Sequence, residues 1–214
     1  METKNLSIRD FYDKVWCEYA DPRFHPITAQ ALSVQARIVA NRIREARPRR
    51  VLDLGCGPVP VVPPQSAPLV VSADLVFEML VNIKAARTAP VVCLDARRLP
   101  FRDQCFDFIW CGLLIDHIRN PDSWIQELTR VLVPGSTLGM GCWHRSVLPS
   151  ERYPGNSRMC YTTAGGEELS VMNFPTWETA LHMLKHQDPN MQMESLPIVP
   201  PEYVLQIAWA TVHP

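Results

Sequence analysis

No apolar run in this 214-residue sequence approaches the ~20 residues that span a bilayer, so no membrane-crossing helix is expected. The N-terminus, Met-Glu-Thr-Lys-Asn-Leu-Ser-Ile-Arg-Asp, lacks the apolar stretch of a secretory signal. Neither sign of charge dominates. Lys and Arg total 21 and Asp and Glu 22, for a net charge of −1, which speaks against nucleic acid and anionic membrane surfaces as partners. No Cys-x-x-Cys pair occurs among the seven cysteines, and Cys93, Cys111 and Cys142 lie in apolar runs. They read as reduced, core-filling thiols of a cytoplasmic protein, with no metal site implied. Glycine is scarce, with 9 against 20 prolines. Proline is thus about twice its usual ~5% share. No internal repeat or low-complexity tail is visible.

What remains is a chain of ordinary polarity, long enough for one domain with a large core. Two of the few glycines follow an apolar run at once, in Arg-Val-Leu-Asp-Leu-Gly-Cys-Gly at 50–57. An apolar run closed by glycine reads as a buried parallel strand ending in a tight turn, where a ligand can approach the main chain. A second run, 69–73, ends in Asp74, which lies 19 positions after Gly55. That spacing suits one βαβ step with a carboxylate at the second strand tip, able to accept hydrogen bonds from a ribose diol.

Residues 6–20 carry Phe11, Tyr12, Val15, Trp16 and Tyr19 on one helical face, and Asp21-Pro22 ends that helix. Thr28 is the expected cap of a second helix reaching Ala46. Strands follow at 50–54, 69–74, 91–94, 106–110 and 137–143, with helices at 76–86 and 122–132; Asp122 or Ser123 caps the latter and Pro134-Gly135 stops it. Pro58, Pro60, Pro63, Pro64 and Pro68 forbid a normal crossover helix after the first strand. Residues 145–170 read as a polar loop. A helix from Trp177 to His186 and two strands, 191–199 and 203–212, follow. The alternation predicts an α/β fold, a doubly wound, mostly parallel sheet with N-terminal helices and an antiparallel C-terminal strand pair. Ligands bind such sheets beyond the carboxyl ends of the strands, where Asp53, Asp74, Asp95, Cys111, Trp143 and His144 fall.

Five ordered motifs between about 50 and 143 resemble class I S-adenosylmethionine-dependent methyltransferases, nearest the ubiquinone and menaquinone biosynthesis and natural-product group. They are Val-Leu-Asp-Leu-Gly-Cys-Gly at 51–57, Ala-Asp-Leu with Glu-Met-Leu at 73–80, Leu-Asp-Ala with Leu-Pro-Phe at 94–101, Phe-Asp-Phe-Ile-Trp-Cys-Gly at 106–112, continuing to Ile118, and Glu-Leu-Thr-Arg-Val-Leu-Val-Pro-Gly-Ser at 127–136. The resemblance implies a Rossmann-like methyltransferase fold and S-adenosyl-L-methionine as cofactor. It implies that Gly55, Cys56 and Gly57 pass under the methionine part. Asp53 would hold the loop or meet the amino group. Asp74 would take the ribose hydroxyls and Leu75 would pack on the adenine. Asp95 and the Ala96 amide would read the adenine edge, and the Cys111 carbonyl, beside Gly112, would meet the methionine ammonium. The sequence departs from the pattern at Val59, where the family's third glycine belongs, in the proline-broken segment behind it, and at Ser136.

Methyl transfer asks an enzyme to position the acceptor and to remove its proton where needed. His117 is the candidate base with Asp116 to orient it, and His144 is second. Tyr12, Trp16 and Tyr19 are read as a lid, with Tyr19 toward the cofactor. Trp143, Tyr161, Trp177 and Met172 are read as substrate walls. The expected organisation is one domain: a helical lid over 1–48, a cofactor core over 49–143 and a substrate-side elaboration over 144–214. The expected activity is O- or C-methylation of a small, partly apolar acceptor in biosynthetic metabolism, by a monomer or homodimer. A cyclisation or pericyclic step with the cofactor structural, and a non-catalytic partner subunit, are the rival readings.

Overall fold

The computed structural model describes residues 4–86, 89–143, 158–174, 176–198 and 203–213. Its elements are β1 (Lys4–Leu6), α1 (Ile8–Val15), α2 (Pro26–Ala46), β2 (Arg50–Leu54), β3 (Leu69–Asp74), α3 (Phe77–Ala86), β4 (Val91–Cys93), β5 (Phe106–Gly112), α4 (Pro121–Val131), β6 (Leu132–Trp143), β7 (Arg158–Thr162), β8 (Glu168–Met172), α5 (Trp177–Gln187), β9 (Gln192–Ile198) and β10 (Tyr203–Thr211). One 3-10 turn, Ile115–His117, follows β5.

Seven strands form the main sheet in the order β4-β3-β2-β5-β6-β10-β9. β4, β3, β2, β5 and β6 are parallel, and β10 runs antiparallel to both β6 and β9. From β2 the chain winds one way to β4, then crosses back to β5 and β6. The strand order therefore reverses between β2 and β5, which opens a crevice at their carboxyl ends. α4 and α5 cover one face with Trp124, Ile125, Leu128, Ala180 and Leu184. On the other face Val39 and Ile43 of α2 pack on Val51, Trp110 and Trp209. The proline segment after β2 contains no helix, as its missing donors require; it sends Val61 and Val62 into the α2-side core instead.

Several boundaries differ from the sequence expectation. α1 stops at Val15, and Leu6 is in a strand rather than on the helix. α2 starts at Pro26, whose fixed φ suits a first helical position, and Thr28 lies inside it. α4 is capped by Asn120, whose Oδ1 accepts from the Ser123 N–H, with Pro121 at the first position. Pro134-Gly135 does not stop a helix. It sits inside β6, where Gly135 has φ +84° and the β5 pairing slips register between Phe106 and Phe108. At the start of α5 the Thr176 hydroxyl donates to Ile115 O at 3.0 Å.

The segment expected as a loop over 145–170 holds two strands within its described part. β7 and β8 form an antiparallel hairpin, and β1 joins in parallel to make a second sheet, β1-β8-β7. α1 lies on it, closing a small core of Phe11, Val15, Tyr161, Leu169 and Val171.

Trp110 and Trp209 stack obliquely at 5.3 Å beneath α2, and Gly139 of β6 passes under them. A Cβ on Gly139 would overlap the Trp209 ring and crowd Trp110. Gly139→Ala is therefore expected to destabilise the fold by about 2 kcal/mol or more, since neither indole can withdraw from a filled core. Chemical denaturation measures this, and an unchanged midpoint would show that the tryptophans repack without cost.

Candidate active site

At the carboxyl ends of β2 and β5 lies a cavity of about 490 Å³. Its floor is the turn after β2. Gly55 (φ +69°) and Gly57 (φ +60°) take left-handed conformations, and the Gly55 and Cys56 N–H groups both donate to Ala73 O. A Cβ on Gly55 would press on Leu114 at 3.1 Å, whereas the space above Gly57 is open. The glycines thus bring the main chain to the cavity surface.

Asp74 ends β3 on the cavity wall. Its Oδ2 accepts from the Gly57 N–H at 2.8 Å and its Oδ1 from the Val76 N–H at 3.0 Å. Burial raises its pKa, and these backbone donors only partly offset the desolvation. Leu75, Leu94 and Ala96 add an apolar wall, and Asp95 stands at its edge. Asp95 is gripped by Arg97 in a two-pronged ion pair with nitrogen–oxygen distances of 2.9 and 2.5 Å, which holds its carboxyl below the ordinary range. The loop carrying them is braced from α4. Arg130 donates to Phe101 O and Leu99 O and pairs with Glu127 and Asp103, while Glu127 accepts from the Leu99 N–H.

Across the cavity, Gly112 and the 3-10 turn bring in Leu113, Leu114 and His117. Gly112 has no room for a side chain, because a Cβ would lie 2.5 Å from Gln35 Oε1 and 2.8 Å from Trp110 Nε1. His117 Nε2 lies 2.8 Å from the hydroxyl of Tyr12 on α1. The Tyr12 ring meets His117 and Tyr19 edge-on at 5.4 and 5.5 Å. All three aromatic groups line the cavity.

The structure therefore brings together Gly55, Cys56, Gly57, Asp74, Leu75, Asp95, Ala96, Gly112, Tyr12, Tyr19 and His117. Other candidates stand elsewhere. Asp53 is buried behind the glycine turn, where its Oδ2 faces the Val62 N–H at 3.4 Å, so its place is in holding the proline loop. Cys111 is buried one residue behind the wall that Gly112 forms, and burial beside Asp53 pushes its thiol pKa up. Asp116 is buried against the Cys142 thiol, with Sγ–Oδ2 at 3.5 Å. Trp16 lines a second cavity with Cys17, Pro22 and Arg23; only Pro58 and Val59 border both. Trp143 packs on Tyr203 at 6.1 Å, away from the site. Tyr161 belongs to the small core and stacks on His25 at 4.3 Å. Trp177 is buried and donates to Gln206, and Met172 is exposed on β8. His144 lies outside the described residues. The sequence reading missed Arg9, Leu32, Met79 and Ile118 of the wall. Only the helical register of Leu32 and Met79 carried a signal, and it was one of burial rather than of a ligand.

The site's chemistry fits an adenosyl sulfonium. A half-buried carboxylate at the β3 tip suits a ribose diol, and apolar walls suit a purine. The glycine turn leaves open main chain where an amino-acid moiety can lie. The turn after β2 leads into no helix, so it offers no helix N-terminus to a phosphate as a dinucleotide-binding turn would.

Comparison with known proteins agrees. The family described as "Methyltransferase domain" matches residues 52–140. The demethylmenaquinone methyltransferase of Mycobacterium tuberculosis is 34% identical over 104 residues, 48% of this chain and 44% of that protein. A malonyl-acyl-carrier protein O-methyltransferase of Pseudescherichia vulneris is 28% identical over 124 residues, 56% of this chain and 49% of that protein. The chain thus spans about half the length of these curated relatives. Among solved structures, an S-adenosylmethionine-dependent methyltransferase from Thermotoga maritima superposes with a TM-score of 0.68 at 18% identity, over 95% of this chain and 98% of that one. The 4+2 cyclase SpnF superposes at 0.57 and 16% identity, over 99% and 98%. Residues 52–140 thus match the methyltransferase-domain family, and the sheet order gives the chain the fold of solved S-adenosylmethionine-dependent methyltransferases.

Proposed function

We propose that this protein transfers the methyl group of S-adenosylmethionine to oxygen or carbon of a small, partly apolar acceptor, with His117 receiving the acceptor's proton. The observation that carries this reading is the Tyr12 hydroxyl on His117 Nε2 at 2.8 Å, on the wall of the cavity that also holds the glycine turn and Asp74. A hydroxyl already rests on a ring nitrogen there. An acceptor hydroxyl entering the same place would meet a proton acceptor, and histidine is the usual general base near neutral pH. When bound, the sulfonium supplies an electrophilic methyl carbon. Asp74 would hold the ribose hydroxyls, Leu75 and Ala96 would flank the adenine, and Gly55 to Gly57 would underlie the amino-acid moiety. Tyr12 on α1 and Tyr19 in the turns after it would cover the cavity and keep water from the reacting groups.

The setting proposed is cytoplasmic small-molecule biosynthesis by a monomer or homodimer. It is supported by seven cysteines without a disulfide, and no helix among the described residues is long and apolar enough to cross a membrane. Isothermal titration with S-adenosylmethionine is expected to show one site per chain, and no binding would leave the partner-subunit reading. Incubation with methyl-labelled cofactor and a metabolite extract is then expected to yield a product heavier by one methyl. The full-length likeness to a 4+2 cyclase favours one second reading, isomerisation beside an unspent cofactor. A new product of unchanged mass would select it.

A further inference from the structure

α5 carries a pair of side chains that the methyl-transfer site does not use. His182 and His186 are one turn apart on its exposed face, with Nε2 atoms 3.0 Å apart, ring centroids 4.4 Å apart and ring planes at 86°. Residues at i and i+4 lie above one another on a helix, so both imidazoles leave the backbone from one stripe. The buried positions of the helix, Trp177, Ala180 and Leu184, anchor the opposite stripe and fix which way the histidines face. The two Nε2 atoms meet only because one carries a proton and the other offers its lone pair. A cation in place of that proton would be held by two lone pairs from a prearranged chelate.

We propose that His182 and His186 form a bidentate site for a divalent transition cation of borderline softness, completed by solvent. The spacing selects among such ions. With metal–nitrogen bonds of ~2.0–2.1 Å, nitrogens 3.0 Å apart subtend about a right angle at the metal. Cis positions of square-planar or octahedral Cu²⁺ and Ni²⁺ have that angle, whereas the wider tetrahedral angle of Zn²⁺ needs the nitrogens ~3.4 Å apart. No group of three or more His, Cys, Asp or Glu among the described residues competes for the ion. Glu178, one turn before His182, and Lys185, between the histidines, are the exposed charged neighbours on the helix.

The N-terminal end of the same helix braces the catalytic turn: Thr176 Oγ1 donates to Ile115 O at 3.0 Å, and the Phe174 N–H donates to Asp116 O at 2.7 Å. The proposed ion would sit at the other end of the same helix, about 14 Å away along the axis.

The test is isothermal titration of the whole protein with Ni²⁺, Cu²⁺ and Zn²⁺ in a non-chelating buffer. One ion per chain is expected, tightest for Cu²⁺, weaker for Ni²⁺ and weakest for Zn²⁺. His182→Ala and His186→Ala should each weaken Ni²⁺ binding at least ~10-fold, and the double variant should abolish it. Both positions are exposed and alanine favours helix, so the variants should fold, which circular dichroism checks. Paramagnetic Ni²⁺ should broaden amide signals around 178–190 first, and amide exchange in the last turns of α5 should slow. Equal Ni²⁺ binding by wild type and double variant, or none by wild type at 1 mM ion, would overturn the proposal. Binding of S-adenosylmethionine is a separate measurement and stands or falls on its own.

Discussion

Asp74→Asn is expected to weaken S-adenosylmethionine binding at least ~100-fold while the chain still folds. The substitution keeps the side-chain shape but removes the charge that would receive two ribose hydroxyls. Hydrogen bonds to a charged acceptor contribute about 1.5–3 kcal/mol each, so losing two exceeds a factor of 100. The stability of the cofactor-free protein should move with pH in a defined direction. Burial raises the Asp74 pKa above its unfolded value, so the native state holds this proton more tightly. Between the unfolded and folded values the native state binds more protons, and stability falls as pH rises. Wild type should therefore lose stability relative to the Asp74→Asn variant as pH climbs from about 4, since only wild type has a carboxyl there to ionise. Calorimetry of both proteins across that range measures the trend, and titration with the cofactor measures the affinity. A variant that binds the cofactor normally would remove Asp74 from the site.

His117→Ala should lower turnover of the methylated acceptor 10²-fold or more at saturating cofactor, with cofactor affinity within about threefold of wild type. Tyr12→Phe separates base from cover. It keeps the ring against Tyr19 and His117 but takes the hydroxyl from Nε2. It is expected to change KM for the acceptor more than kcat, because the acceptor replaces that hydroxyl during turnover. Near wild-type turnover by the His117→Ala variant would leave positioning alone as the source of rate.

The parallel core was legible because each strand is a short apolar run cut off by glycine or aspartate, a pattern that burial on both faces requires. The proline segment after β2 was legible for the same local reason: a ring without an N–H cannot enter a helix. The second sheet was not. β7 and β8 alternate weakly, and their apolar partners, Phe11 and Val15, come from the far end of the chain. No local window contains both halves of that core. The aromatic candidates fared by the same rule. Tyr12 and His117 each sit beside a cavity, whereas Trp143 and Tyr161 are taken up by packing partners, Tyr203 and Phe11. The sequence marked them by a helical face, a strand end or a loop, and none of these tells a cavity wall from a packed core. Pro134-Gly135 misled because its turn chemistry serves a kink within a strand rather than a helix stop.

β1 pairs Lys4, Asn5 and Leu6 with Leu169, Ser170 and Val171. During synthesis, the first strand made must therefore wait for nearly the last sheet partner. At ~5–20 residues per second, roughly 10–30 s pass between the two. Throughout that interval β2 to β6 can pair while Phe11 and Val15 have no hydrophobic shelter. The β1 side of the cover over the cofactor cavity thus stays unpaired until after β2 to β6 have been made, and is exposed to a holdase or a protease on the nascent chain for that long.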